Sequence, residues 1–216
     1  MIASFSRILA VAAHLDDVEL GCAGIISRYR RSAEFHVLAL SCERRDSRGA
    51  VQEVRDKKEA QKALRLMGLK PPALSIENIP TQLFDSHPQE IREILIRHGE
   101  RLRPDLVLVP SKNDIHQDHR MLCEQAEKVF KRTSLLGYEI INSSFTFMPS
   151  LYVEIAKKDL DRKIAAVSSY VSQMNPDTTT ADYFSREVLE SLAVTRGVKI
   201  GVRYAEAFEI YRLVMR

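Results

Sequence analysis

Arg7-Ile8-Leu9-Ala10-Val11-Ala12-Ala13-His14-Leu15-Asp16-Asp17-Val18-Glu19-Leu20-Gly21 is the stretch on which the reading of this chain turns. Residues 7–13 are a short apolar run with little alternation, the pattern of a strand covered on both faces. The run ends abruptly in a histidine and two aspartates. Arg7 ahead of Ile8–Ala13 has the look of a secretory leader, but the run is short and cleavage there would discard the most chemically loaded residues. The expectation is a buried strand in a cytoplasmic protein.

Outward from this stretch, strand-like and helical patterns alternate. Helical spacing covers 21–29, a second apolar run covers Phe35–Leu40, and a charged amphipathic pattern predicts a helix over Val51–Met67 ending at Gly68. Leu74–Ile76 reads as a short strand. Pro88–Leu102 reads as a helix with proline at its first position, and Leu106–Val109 as another fully apolar strand. A polar loop and a helix over Asp118–Lys131 follow. The last third predicts a strand over Leu151–Ile155, helices over Leu160–Gln173 and Tyr183–Leu192, and an edge strand over Tyr204–Val214. Such alternation with short connections specifies an α/β fold: a Rossmann-like, doubly wound, mostly parallel sheet with helices on both faces.

With 216 residues, no repeat and no linker-like tract, one domain spanning 1–216 is expected. Hydrophobic residues make up 45% and charged residues 28%, the balance of a soluble globular chain. Thirty-two basic against 29 acidic residues leave +3, too mild to indicate a nucleic-acid partner. No apolar run reaches bilayer length, so no membrane insertion is expected. Cys22, Cys42 and Cys123 lack CxxC spacing, which excludes a disulfide framework or a thiolate zinc site and fits a reducing compartment. A homo-oligomer is left open.

In open α/β sheets, ligands bind outside the carboxyl ends of the strands. Two such ends carry dense polar clusters: His14 to Glu19, and Pro110-Ser111-Lys112-Asn113-Asp114-Ile115-His116-Gln117-Asp118-His119. Singly, Asp16, Asp17, Asp114 or Asp118 would read as helix or loop caps, and one histidine as scaffold. Together, His14, Asp17 and His119 offer two imidazoles and one carboxylate, the ligand count of a catalytic zinc site with one position left for water. Water on such an ion has its pKa lowered to about 7. Asp16, next to a ligand, is the candidate general base. His116, one turn before His119, is assigned to polarising a carbonyl and stabilising an oxyanion, and as an alternative source of the leaving-group proton. Asp118 is expected to hydrogen-bond His116 and raise its pKa.

His14–Gly21 resembles the AHPDD signature of the PIG-L/LmbE-like zinc-dependent N-deacetylases, and His116–His119 resembles their HPDH signature. Arg55 with Glu59, Leu66-Met67-Gly68, Ser172-Gln173 and Gly201–Phe208 extend the resemblance over nearly the whole chain. It implies a Rossmann-like fold and His14, Asp17 and His119 as ligands of Zn²⁺, with Fe²⁺ and other divalent ions not separated by ligand type. It implies Asp16 as base, His116 as oxyanion and acid group with Asp118 as its partner, and Arg55 and Tyr183 as substrate contacts. The implied activity is hydrolysis of the acetyl group from an N-acetylglucosamine-type sugar or glycoconjugate. The alternatives are the same centre cleaving another amide, such as a thiol conjugate or a natural product, or a non-catalytic sugar-binding relative. Leu15 and Gln117 stand where the signatures have proline, and the acid after the aspartate pair is Glu19.

Other residues read more plainly. His36, His87 and His98 have no partner at useful spacing; Cys22 is read as small-residue packing, and Glu206 as a satisfied strand residue with a supporting place behind the site as the alternative. Gly21-Cys22-Ala23-Gly24 lacks the glycine spacing of a dinucleotide loop.

Overall fold

The computed structural model describes residues 2–45, 51–54, 57–171 and 182–214. Nine strands occur among them: β1 (Arg7–Ala12), β2 (Glu34–Ala39), β3 (Glu43–Arg45), β4 (Val51–Val54), β5 (Leu74–Ile76), β6 (Leu106–Pro110), β7 (Ser134–Tyr138), β8 (Leu151–Glu154) and β9 (Ala205–Arg212). Six α-helices accompany them: α1 (Asp17–Tyr29), α2 (Lys57–Leu66), α3 (Pro88–Leu102), α4 (Gln117–Val129), α5 (Lys157–Val167) and α6 (Arg186–Val198).

Seven strands form one sheet in the order β5-β2-β1-β6-β7-β9-β8. The first five are mutually parallel, and β9 joins antiparallel to both β7 and β8. The apolar run of β1 lies at the centre, in register with β2 at Ile8↔Phe35 and with β6 at Ile8↔Leu106. Its side chains alternate between two buried layers. Ile8, Ala10 and Ala12 join the core of α1, α2, α5 and α6, while Leu9, Val11 and Ala13 join that of α3 and α4. Both faces are covered, so both parities must be apolar, which is why the sequence shows no alternation. Truncating a leucine in such a core to alanine costs about 2–5 kcal/mol.

From β1 the chain winds outward through β2 to β5, then crosses back to β6 on the other side of β1. The carboxyl ends of β1 and β6 therefore flank the topological switch point, where the crevice of a doubly wound sheet opens. No helix among the described residues is long and apolar enough to cross a membrane.

Several expectations need correction. Val51–Val54 is a strand paired antiparallel with Glu43–Arg45, and helix α2 begins only at Lys57. The charged period of that segment was helical only in its second half. Helix α1 starts at Asp17, four residues earlier than its apolar spacing indicated, because its first turn carries the polar site residues. Strand β7 was not expected: it directly follows a helix and holds only five residues. Strand β9 is interior, not an edge, since β8 covers its outer side. Helix α5 ends at Val167 and α6 begins at Arg186, both offset from the expected bounds. The chain leaves α2 through Gly68 at φ +89, a left-handed backbone that favours glycine.

Candidate metal centre and active site

Two loops meet at the switch point. The first runs from β1 into α1, with Asp16 at the N-cap and Asp17 as the first helical residue. The second runs from β6 into α4, with His116 at the N-cap and His119 in the first turn. Gly21 lets the first turns of α1 sit close: a Cβ there would overlap the Tyr138 ring, whose hydroxyl donates to Val11 O at 2.8 Å.

His14, Asp17 and His119 are brought together, each at most 6% exposed. His14 Nδ1 lies 3.3 Å from His119 Nε2, Asp17 Oδ1 3.4 Å from His119 Nε2, and Asp17 Oδ2 3.6 Å from His14 Nδ1. Donors bound tetrahedrally at 2.0–2.1 Å stand about 3.3 Å apart. The three donors thus fit one divalent cation, and two imidazoles with a carboxylate suit zinc. Each imidazole has its remaining nitrogen on a second carboxylate: His14 Nε2 meets Asp118 Oδ2 at 3.0 Å, and His119 Nδ1 meets Asp114 Oδ2 at 3.1 Å. Those contacts leave His14 Nδ1 and His119 Nε2 turned toward Asp17.

The charges respond accordingly. Burial alone would raise the Asp17 carboxyl, but the His119 and His14 charges hold it well below the ordinary carboxylate range. Burial opposes charge on His119, yet Asp17 and Asp114 outweigh it and raise its pKa to about 10. His14 is likewise raised against burial by Asp17 and Asp118.

Asp118 is the main correction to the site. Its carboxylate does not reach the His116 ring; it binds His14, and accepts from the backbone N–H of Gln82 at 2.7 Å. His116 instead accepts at Nδ1 from the backbone N–H of Asp118, at 3.2 Å. Nor is its pKa raised: burial and the neighbouring His14 and His119 charges push it down to about 4. An acceptor Nδ1 places the ring proton on Nε2, so His116 is a neutral N–H donor.

These groups line a cavity of about 170 Å³ whose walls include Asp16, His116, Tyr183, Glu43, Gln82 and Asn142. Tyr183 therefore does stand at the site. Arg55 and Ser172-Gln173 lie outside the described residues. A larger hollow of about 790 Å³ opens near Arg7, Asp105 and Thr133, at the amino ends of the strands, and gathers no convergent set of ligands.

At the two positions where the signatures have proline, the chain makes long-range hydrogen bonds. Leu15 O accepts from the Tyr170 hydroxyl, and the Gln117 amide donates to Gln82 O. Gln82 itself adopts φ +67, an uncommon backbone for a non-glycine residue, which turns its N–H onto Asp118.

Sequence reasoning read Asp114 only as a cap. The structure places it under His119, where it also accepts from Ser143 Oγ at 2.8 Å, Ser144 Oγ at 3.1 Å and His116 N at 2.8 Å. Its spacing to His119 was the available signal. Gln82 and Glu43 gave none. His98 and His36 are not partnerless: His98 pairs with Glu77 at 2.9 Å and His36 meets Ser75 Oγ at 2.9 Å, far from the site. The three cysteines are free and buried.

Comparison with known proteins bears on this arrangement. The model of the family described as "PIG-L: GlcNAc-PI de-N-acetylase" matches residues 9–130, more than half of the chain. The chain belongs to the PIG-L family. That PIG-L match contains both site loops. A curated relative, the uncharacterized deacetylase YaiS of Escherichia coli K12, is 26% identical over 170 residues, 76% of this chain and 90% of its own length. The conserved protein TT1542 of Thermus thermophilus superimposes with a TM-score of 0.75 at 25% identity, covering 98% of this chain and 97% of its own. The N,N'-diacetylchitobiose deacetylase of Pyrococcus horikoshii has a TM-score of 0.71 at 22% identity, covering 95% and 84%, and so shares the fold. This PIG-L protein is accordingly assigned to a deacetylase family with an LmbE-like α/β fold.

Proposed function

We propose that the protein is a zinc-dependent N-deacetylase that hydrolyses the acetyl group of an N-acetylglucosamine-type sugar or glycoconjugate. The observation that carries this reading is the spacing of His14 Nδ1, Asp17 Oδ and His119 Nε2, 3.3–3.6 Å apart in a buried pocket. A divalent ion held by those three would polarise the amide carbonyl and make water a better nucleophile at neutral pH.

The chain's own groups supply the rest. Asp16, on the pocket wall beside Asp17, takes a proton from the attacking water. The neutral Nε2–H of His116 donates to the carbonyl oxygen as it gains negative charge. The C–N bond then breaks, and Asp16 returns the proton to the departing amine, leaving acetate and a free amino sugar. His116, with Nδ1 already accepting, is assigned the oxyanion rather than the leaving group. Tyr183 contacts substrate from the wall, and Arg55 is carried as a further substrate contact from the family resemblance alone. A cavity of about 170 Å³ suits an acetamido group and part of a sugar ring. The chitobiose deacetylase of Pyrococcus horikoshii, named for an acetylated sugar, supports that substrate class.

The test is metal analysis with acetate release from N-acetylglucosamine derivatives and a panel of other N-acyl amides. Asp16→Asn is expected to keep stoichiometric zinc and lose about 10²-fold or more in turnover. Parental turnover in that variant, or no acetate from any acetylated sugar while another amide is cleaved, would contradict the reading.

A further inference from the structure

Helix α1 is not one helix. Cys22 breaks it with φ −145 and ψ 16, separating a first turn that begins at Asp17 from the segment that follows. A break of this kind creates a second helix start, with backbone N–H groups that lose their acceptors. Taking Cys22 as the cap position, the amides in need are those two and three residues on, Gly24 and Ile25. Both are satisfied from far away in sequence: Glu206 Oε1 accepts from Gly24 N at 2.9 Å, and Glu206 Oε2 from Ile25 N at 2.7 Å. Lys163 Nζ from α5 neutralises the carboxylate at 2.7 Å, and both side chains are at most 5% exposed. Gly24 makes room, since a Cβ there would stand 2.8 Å from the Glu206 carboxyl carbon.

A buried ion pair is a poor source of net stability, because desolvation offsets its attraction. Its geometric consequence is more specific. The carboxylate supplies the cap that the Cys22 side chain lacks, and the helix dipole favours its charge there. With the second segment capped, the first turn is free to tilt from the helix axis. It carries Asp17 to within 2.8 Å of His14 N and 3.4 Å of His119 Nε2. We propose that Glu206, held by Lys163, is a positioning residue of the metal centre: it caps the break in α1 and so sets where Asp17 stands. This rests on the metal-dependent reading above. Glu206 touches neither the ion site nor the pocket's reacting groups and acts only through α1.

The experiment measures zinc affinity by chelator competition and thermal midpoint on the full chain, for the parent, Glu206→Gln, Gly24→Ala and the pair Lys163→Met with Glu206→Gln. A glutamine must oppose one buried amide with its own N–H, and an alanine at 24 crowds the carboxylate, and Ile155 Cδ1 beside it, without removing a charge. Glu206→Gln and Gly24→Ala are expected to bind zinc about 10–100-fold more weakly. The double variant, with both buried charges gone, is expected to recover thermal midpoint but not affinity, which a purely structural pair would not do. Folded variants binding zinc within about twofold of the parent would overturn this inference and leave the deacetylase reading intact. A parent that binds no zinc would overturn both. Where Glu206→Gln fails to fold, Gly24→Ala decides.

Discussion

The loop after β1 and the loop after β6 deliver matching groups to one point, but their supports differ in range. The second loop is stabilised mostly from within and from its neighbour. His116 caps α4 by accepting from Asp118 N, Asp114 lies five residues before the histidine it orients, and Ser143 and Ser144 fix Asp114. The first loop has one internal bond, from His14 N to Asp17 Oδ2 at 2.8 Å, and otherwise relies on distant chain. Asp16 makes no side-chain cap of α1, Leu15 O is held by Tyr170, and the break behind Asp17 is capped by Glu206. The lesson is that a short-range motif places its atoms accurately only where the motif also contains its own cap. Where it does not, the fold must bring one.

That contrast can be broken most severely at the imidazoles. His14→Ala and His119→Ala each remove one of three donors, and both are expected to lose stoichiometric zinc on dialysis, the loss read by metal analysis. Retention by either would place the ion elsewhere. The orienting carboxylates sharpen the comparison at smaller amplitude. Asp118→Asn and Asp114→Asn are each expected to weaken zinc binding by about 10–100-fold. Asp118→Asn acts on the first loop's His14 and Asp114→Asn on the second loop's His119, although both residues belong to the second. If Asp118→Asn left zinc affinity unchanged but abolished turnover, Asp118 would serve His116 after all.

The smallest effect lies outside both loops and calibrates them. His36 on β2 is held down to about 4 by burial, with Arg101 and His98 of α3 facing it and Ser75 of β5 bonded to its ring. Its folded pKa lies below the unfolded value of about 6.5, so the unfolded chain binds the extra proton in between. Its contribution is present above pH 6.5 and is lost as pH falls toward 4. Thermal midpoints from pH 7 to pH 4 are expected to fall less steeply in His36→Gln than in the parent. An unchanged slope would remove His36 from the acid sensitivity.

How much of this could be read in advance follows the same division. The central strand was legible because double-sided burial forces every position of 8–13 to be apolar, and α3 because Pro88 and the period of Ile91, Ile94 and Leu95 mark one face. The cluster of His14, Asp17 and His119 was legible because each follows a strand end at the switch point, and the structure brings the three together as candidate donors. Asp118 was assigned to the wrong imidazole because two residues of separation say nothing about direction: as the second residue of α4, its side chain turns to the other loop. Tyr170, Glu206 and Gln82 act across 155, about 180 and 36 residues respectively, and no local pattern encodes such a pairing. Strand β4 was hidden inside a charged stretch whose helical period belongs only to 57–66.

On the metal-dependent reading, one cation sits between the two loops. Crystals of the zinc-loaded protein, with anomalous difference density measured at the zinc edge, test it directly. A single strong peak is expected, bonded at about 2.0–2.2 Å to His14 Nδ1, Asp17 and His119 Nε2, with Asp118 and Asp114 still on the far nitrogens. A fully loaded crystal whose peak lies beside His116 and Asp118, or away from the switch point altogether, would contradict it.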